Sequence, residues 1–337
     1  MFVLEYRKLG NTGLKVTSLC LGTMTFGNQA DEITSHAILD KAFDAGVTFV
    51  DTADVYPLGS TWEQLGRTEE IIGRWLEGKR DRVVLATKVH GAMGPGANDK
   101  GLSRKHIFQA VDASLRRLRT DYIDLYQAHQ VDPDTPVEET LRAFEDLVKS
   151  GKVRYIGVSN WRAWQVAVAN GIAAQWGLVR IQSVQPRYNL LFRMIEEELV
   201  PLCQDQGMGI MTYNPLAGGI LTGRYKPGQG VESGSRFGLG GIHSAGRMYQ
   251  ERYWNETVFQ VVENYKNWCV EQERELTTTA VQWVIRQPGI TCAILGASRP
   301  DQLDASLRAT EAQPLTEKDL AWLDSLWFQL PRRREFR

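Results

Sequence analysis

A single-domain (β/α)8 TIM barrel spanning residues 1–337 is the expectation for this chain, and three features of the sequence lead to it. Short β-branched runs alternate with helical patterns along almost the whole length. Eight such runs can be counted, the number that closes a barrel. Each is apolar nearly throughout, as suits a strand buried on both faces of a parallel sheet. A doubly wound sheet is the competitor. It would want Gly-x-Gly-x-x-Gly after an early strand, and the sequence has none.

The elements follow in order. EYRKLG and LKVTS flank Asn11-Thr12-Gly13, the pattern of a short hairpin that plugs one end of the sheet. Barrel strands are expected to begin near Ser18 (SLCLGT), Val47 (VTFVD), Arg82 (RVVLATK), Tyr122 (YIDLYQAH), Val153 (VRYIGVS), Val179 (VRIQSVQ), Met208 (MGIMTYN) and Thr291 (TCAILGA). Successive starts lie 26 to 40 residues apart except the last, at 83, so a long insertion follows strand seven. Its glycine-rich part, Gly228 to Gly246, follows no strand directly and reads as a mobile loop.

Among the helices, Thr135 is the expected N-cap of one, with Pro136 at the first helical position and Glu138 completing a capping box. Val137, Leu141, Phe144 and Val148 share its apolar face, and Gly151 ends it. Ile107, Ala110, Val111, Leu115 and Leu118 repeat the helical period in another. Val281, Trp283, Val284 and Ile285 lie in a third, stopped by Pro288.

Composition narrows the function. Lys plus Arg is 39 and Asp plus Glu is 40, a net charge of −1, which argues against nucleic acid as the main partner. Hydrophobic residues make up 43% and charged residues 23%, enough for a large core. No apolar run reaches the length of a membrane helix, and Met1–Arg7 has no signal-peptide layout, so a soluble, cytoplasmic protein with no membrane partner is expected. Cys20, Cys203, Cys269 and Cys292 are scattered, with no metal-ligand spacing; no metal is expected, and Cys20 and Cys292 read as buried thiols.

In a barrel the functional groups sit at the C-terminal ends of the strands. Strand two ends in Asp51, three in Lys88 and four in His129; five ends in Ser159 and Asn160, six in Gln185, seven in Tyr213 and Asn214, eight in Gly296. A single polar strand end is most simply a solvated terminus. Six consecutive ones on one rim describe a polar pocket.

These residues sit in a set of ordered motifs. Asp51-Thr52-Ala53-Asp54-Val55-Tyr56, Ala86-Thr87-Lys88-Val89, Asp121 to His129, Gly157-Val158-Ser159-Asn160, Tyr213 to Gly219 and Gly296 to Leu303 follow one another at barrel spacing. Together they resemble the aldo-keto reductases, and among them the bacterial NADPH-dependent members related to potassium-channel beta subunits. The resemblance runs from about Tyr6 to Leu326. It implies an oxidoreductase that reduces an aldehyde or ketone with NADPH, a small carbonyl compound being its partner. It also implies roles: Tyr56 as general acid, Lys88 and Asp51 as the pair that tunes it, and His129 as a donor to the developing oxyanion. The chemistry agrees, because a free tyrosine with a pKa near 10 is a poor acid at neutral pH, and a lysine ammonium beside it would lower that value.

By the same resemblance, Gly22, Thr23, Met24 and Asp51 border the cofactor. Ser159, Asn160 and Gln185 hold its carboxamide, and Tyr213 stacks on the nicotinamide beside Asn214. Pro215, Leu216, Gly218, Leu221, Gly223 and Arg224 cover the pyrophosphate. Gly296, Ser298 and Arg299 take the adenosine 2′-phosphate, for which a guanidinium gives a reason to favour NADPH over NADH. Gln302 and Ser306 reach the adenosine, Ser306 standing where relatives often carry Asn. The stretch Pro57 to Thr68 is longer than in many relatives; Trp62 is either a wall of the substrate pocket or part of a surface elaboration. His36, His106 and His243 read as surface or helix-capping residues. Two other functions fit less of the pattern: a regulatory subunit that binds cofactor with little turnover, and a lyase using Lys88 as a Schiff-base nucleophile. Oligomeric state and the function of the basic tail Arg332-Arg333-Arg334 stay open.

Overall fold

The structure, a computed structural model, describes residues 4–241 and 245–331. His243 and Arg332 to Arg334 lie outside the described residues. Within them the chain opens with a hairpin of β1 (Tyr6–Lys8) and β2 (Lys15–Thr17). Eight parallel strands then close a barrel: β3 (Leu19–Gly22), β4 (Phe49–Asp51), β5 (Val84–Val89), β6 (Ile123–Ala128), β7 (Val153–Ser159), β8 (Ser183–Gln185), β9 (Gly209–Tyr213) and β10 (Cys292–Gly296), the last pairing back onto β3. All eight sequence runs thus become strands.

The period of two inside each strand builds two cores. Ala86, Leu125, Phe49 and Met211 point into the barrel. Their neighbours Leu85 and Tyr126 point outward under the helices. Those helices are α1 (Glu32–Asp44), α2 (Arg67–Trp75), α3 (Arg104–Leu118), α4 (Val137–Lys149), α5 (Ala163–Trp176) and α6 (Leu199–Gln206), followed by α7 (Ala245–Tyr253), α8 (Glu256–Glu271), α9 (Leu276–Arg286), α10 (Leu303–Leu307) and α11 (Glu317–Phe328). Leu9 and Val16 of the hairpin join the inner core and seal the end of the barrel away from the polar rim. Gly10, at φ +59°, packs so closely on Gly207 and Gly209 that a Cβ would lie 2.5 Å from a carbonyl oxygen.

Four local expectations are corrected. Thr135 does not cap α4: its hydroxyl donates to Asp132 at 2.6 Å, and Pro136 is the N-cap without a side-chain bond. The run from Val179 pairs only over β8, because the N–H groups of Val179 and Ile181 are taken by the side chains of Glu145 and Asn170. His106 is buried rather than on the surface. The described part of the glycine-rich stretch is packed: Phe237, fully buried, meets the rings of Tyr225, Tyr249 and Trp254. All four cysteines are buried and free. Among the described residues no helix is long and apolar enough to cross a membrane.

Candidate active site

β4, β5 and β6 end side by side, and this brings the acidic, cationic and imidazole residues together. Beyond the end of β4 the chain keeps bonding to β5: Thr52 N–H donates to Ala86 O at 2.9 Å and Asp54 N–H to Lys88 O at 3.2 Å. That continued pairing carries Tyr56 over Lys88, whose ammonium lies 5.1 Å from the centre of the phenol ring. His129 meets Tyr56 edge-on, ring centres 5.8 Å apart at 79°.

Beneath Tyr56, Lys88 is fully buried and donates to Asp51 Oδ2 at 2.6 Å and to Thr52 O at 2.8 Å. The other carboxylate oxygen of Asp51 accepts from Gln127 at 3.0 Å and Gln185 at 2.8 Å. An ion pair this dry persists only when every lone pair and proton is satisfied, and here the two glutamines complete the set. Burial works hardest against the Lys88 charge, but Asp51, Tyr56 and the hydrogen bond to Asp51 outweigh it and raise its pKa. Lysine therefore stays an ammonium.

Tyr56 departs from expectation. Burial dominates and raises its phenol above the ordinary tyrosine value; Lys88 pulls the other way, as expected, without winning. The phenol thus holds its proton firmly through neutral pH. The nearby ammonium bears on the anion that proton loss would leave.

The rest of the rim is a hydrogen-bonded ring. Ser159 Oγ donates to Gln185 O at 2.9 Å and accepts from Asn160, whose Nδ2 also donates to the carbonyl of His129 at 3.0 Å. Tyr213 donates its hydroxyl to Asn160 Oδ1 at 2.8 Å. Asn160 and Asn214 both have positive φ, which asparagine tolerates better than most residues. Gly22 ends β3 against β10, and Thr23 bonds Asp51 O through both its N–H and its hydroxyl. Met24 packs against Tyr56.

After β9, Asn214 to Gly223 forms an irregular turn in which Gly218 and Gly219 take positive φ. A Cβ on Gly218 would lie 3.0 Å from the Tyr249 ring. Pro215, Leu216, Leu221 and Gly223 belong to this turn, whereas Arg224 turns out to pair with Glu232. At the end of β10, Ser298 N–H and Oγ bond Gln302. Arg299 is 63% exposed and bonded to Asp301 at 3.3 Å. Gly296 is exposed at the strand end, while Ser306 is buried in α10.

Three residues outside the sequence-derived set join the site. Gln127 sits two residues before His129 on the same strand face, so strand periodicity could have found it. Tyr249 comes from α7, and its phenol bears electrostatically on both Tyr56 and Tyr213. Arg236 approaches the Gly296 strand end and lies 5.5 Å from the Tyr249 ring centre, with Nη1 buried and unbonded. A buried guanidinium N–H without a partner, beside a glycine turn and an exposed glycine strand end, fits a phosphate-bearing nucleotide. Nothing in the sequence marks Arg236. In the long stretch after Tyr56, Leu58 N–H donates to Met24 O at the rim, while Trp62 starts a one-turn 3-10 helix and is 43% exposed.

A closed parallel barrel thus carries, at the C-terminal rim of its strands, a sealed Lys–Asp pair under a tyrosine. The aldo/keto reductase family model matches residues 18–327. An uncharacterized oxidoreductase of Bacillus subtilis, YrpG, is 38% identical over 91% of both chains. A probable voltage-gated potassium channel subunit beta of Arabidopsis thaliana is 38% identical over 93% of both chains. A putative channel subunit beta of Schizosaccharomyces pombe is 34% identical over 98% of this chain and 96% of its own. The chain belongs to the aldo/keto reductase family, a family of oxidoreductases.

Proposed function

We propose that this protein reduces an aldehyde or ketone to an alcohol with NADPH, using Tyr56 as the general acid. The observation that carries the reading is the Lys88–Asp51 pair sealed under Tyr56. Bound NADPH supplies the hydride. Tyr56 gives its proton to the carbonyl oxygen as that oxygen gains charge. Lys88 stabilises the resulting phenolate, Asp51 fixes Lys88, and the His129 edge turned toward Tyr56 adds a donor to the oxyanion.

The cofactor would be held by Ser159, Asn160 and Tyr213 at the nicotinamide end and by the glycine turn and Arg236 at the pyrophosphate. Ser298 and Arg299 would take the 2′-phosphate, and the exposure of the Arg299 guanidinium supports that preference. A small carbonyl compound rather than nucleic acid or a membrane is the partner, in keeping with a net charge of −1. Four free, buried cysteines suit a cytoplasmic location.

The test is titration with NADPH and NADH by tryptophan fluorescence, followed by para-nitrobenzaldehyde. Tight NADPH binding, weak NADH binding and NADPH consumption are expected. Failure to bind either nucleotide overturns the reading. A second reading, a cofactor-binding channel subunit with little turnover, draws on the likeness to channel beta subunits. NADPH binding without consumption of any aldehyde tried would favour it.

A further inference from the structure

Two arginines of the insertion after β9 neighbour Tyr249, one in space and one along α7, and among the described residues neither pairs with an acid. Arg236 is the one toward Gly296 described above. Arg252 is the other. It lies three residues after Tyr249 on α7, at the margin of the buried face that carries Tyr249 and Tyr253. Two neighbours fix that face. Tyr253 is buried and its hydroxyl accepts from Asn189 and Asn214, each at 3.1 Å. Tyr249 packs on Phe237 and the glycine turn. The outward flank of α7 carries an ordinary solvated pair, Arg247 with Glu251 at 2.9 Å.

Arg252 is half-buried, and its charge opposes the burial that raises the Tyr213 phenol. Elsewhere in and around the insertion, Arg224 pairs with Glu232 and Arg274 with Asp319. Among the described residues no carboxylate pairs with Arg252. A guanidinium half-withdrawn from water, with no carboxylate paired to it, is a standing attraction for an anion. Its fork geometry suits a carboxylate or a phosphate bidentately. The bond from Asn214 to Tyr253 brings this part of α7 beside Tyr213, on the strand ends across the rim from Tyr56 and His129.

We propose that Arg252 selects anionic substrates: the carbonyl compound reduced here carries a carboxylate or phosphate group, which Arg252 binds while Tyr56 addresses the carbonyl. This rests on the reductase reading above and adds the substrate class to it.

The test compares para- and meta-carboxybenzaldehyde with their methyl esters, and with formylphenyl phosphates of the same geometry, following NADPH consumption. Wild-type protein is expected to favour at least one anion over the matching ester by about tenfold or more in kcat/KM, the size of a charged hydrogen-bonded contact. Which anion wins names the source of the charge. Arg252→Met should collapse the ratio of acid to ester, chiefly through KM, and Arg252→Lys should restore part of it. Equal kcat/KM for acids, phosphates and esters, or an anion preference that survives in Arg252→Met, overturns the inference and leaves the reductase reading standing. If NADPH binds but no aldehyde is consumed, the reductase reading falls and the inference falls with it.

Discussion

Asp51 and Asp54 lie three residues apart on one stretch of chain, and the protein buries them to opposite ends. Asp51 points into the barrel, where Lys88, Gln127 and Gln185 occupy its two oxygens. Asp54 points out of the barrel wall, fully buried, with neither oxygen bonded. Burial pushes its carboxyl well above the usual range, and Glu69 pushes further, with Arg117 opposing. That arginine is committed elsewhere: Arg117 pairs with the fully buried Glu69 at 2.7 Å, and Glu69 also accepts from Thr87. So one acid anchors an ion pair at the rim, and burial without donors pushes its near neighbour toward the neutral form. What separates them is the supply of donors.

That contrast can be tested from its strongest consequence downward. On the Asp51 side, Tyr56→Phe is expected to lower kcat by about 10²- to 10⁴-fold while NADPH binding by fluorescence is unchanged. A variant that keeps wild-type turnover would remove Tyr56 from the chemistry. On the Asp54 side, Arg117→Met strands Glu69 as a buried unpaired charge, and urea denaturation should register a loss of about 3–5 kcal/mol. Turnover per folded molecule should stay within about threefold of wild type. A fall as deep as that of Tyr56→Phe would mean the two sides are not separate.

Asp54→Asn comes next. Because the folded pKa is raised, the unfolded chain ionises first as pH rises from about 4, while the fold holds its proton; wild-type stability therefore declines over that window. Asparagine does not titrate, so the variant should gain steadily on wild type as pH rises from about 4 to 7. An equal difference at both pH values would show the carboxyl already ionised in the fold. The smallest effect is the pH profile of reduction. With the Tyr56 pKa raised, the acid form persists, so kcat/KM should stay level through neutral pH and fall only above the ordinary tyrosine value of about 10. A falling limb near neutrality would contradict this.

The barrel and the residues at its strand ends were legible because both follow from local pattern. Eight apolar runs give eight strands, and strand ends on one rim converge by the geometry of the fold alone. Errors arose where a side chain had a choice of partner. Thr135 bonds Asp132 instead of capping α4, and the backbone before β8 bonds Glu145 and Asn170 instead of a neighbouring strand. Arg236 and Arg252 were invisible for another reason. They reach the site from the insertion, whose path over the rim is set by the aromatic cluster around Phe237 and by contacts such as Gly241 on Gly59, neither of which has a period in sequence. Even the sign of the Tyr56 shift needed the fold, since spacing places Lys88 nearby but says nothing of how much water is removed.

The hairpin beneath the barrel bears on the order of events during synthesis. Arg7 of β1 donates to the carbonyls of Ile285 and Ile290, both at 2.9 Å, and Asn11 to that of Gly207. These partners are made some two hundred or more residues after the hairpin leaves the ribosome. Pairings of such long sequence separation carry the largest loop-closure cost and form late. At a synthesis rate of roughly 5–20 residues per second, the hairpin waits ten seconds or more for its seat. The hairpin strands are thus among the last to dock, and until they do the apolar interior of the barrel stands open at its base.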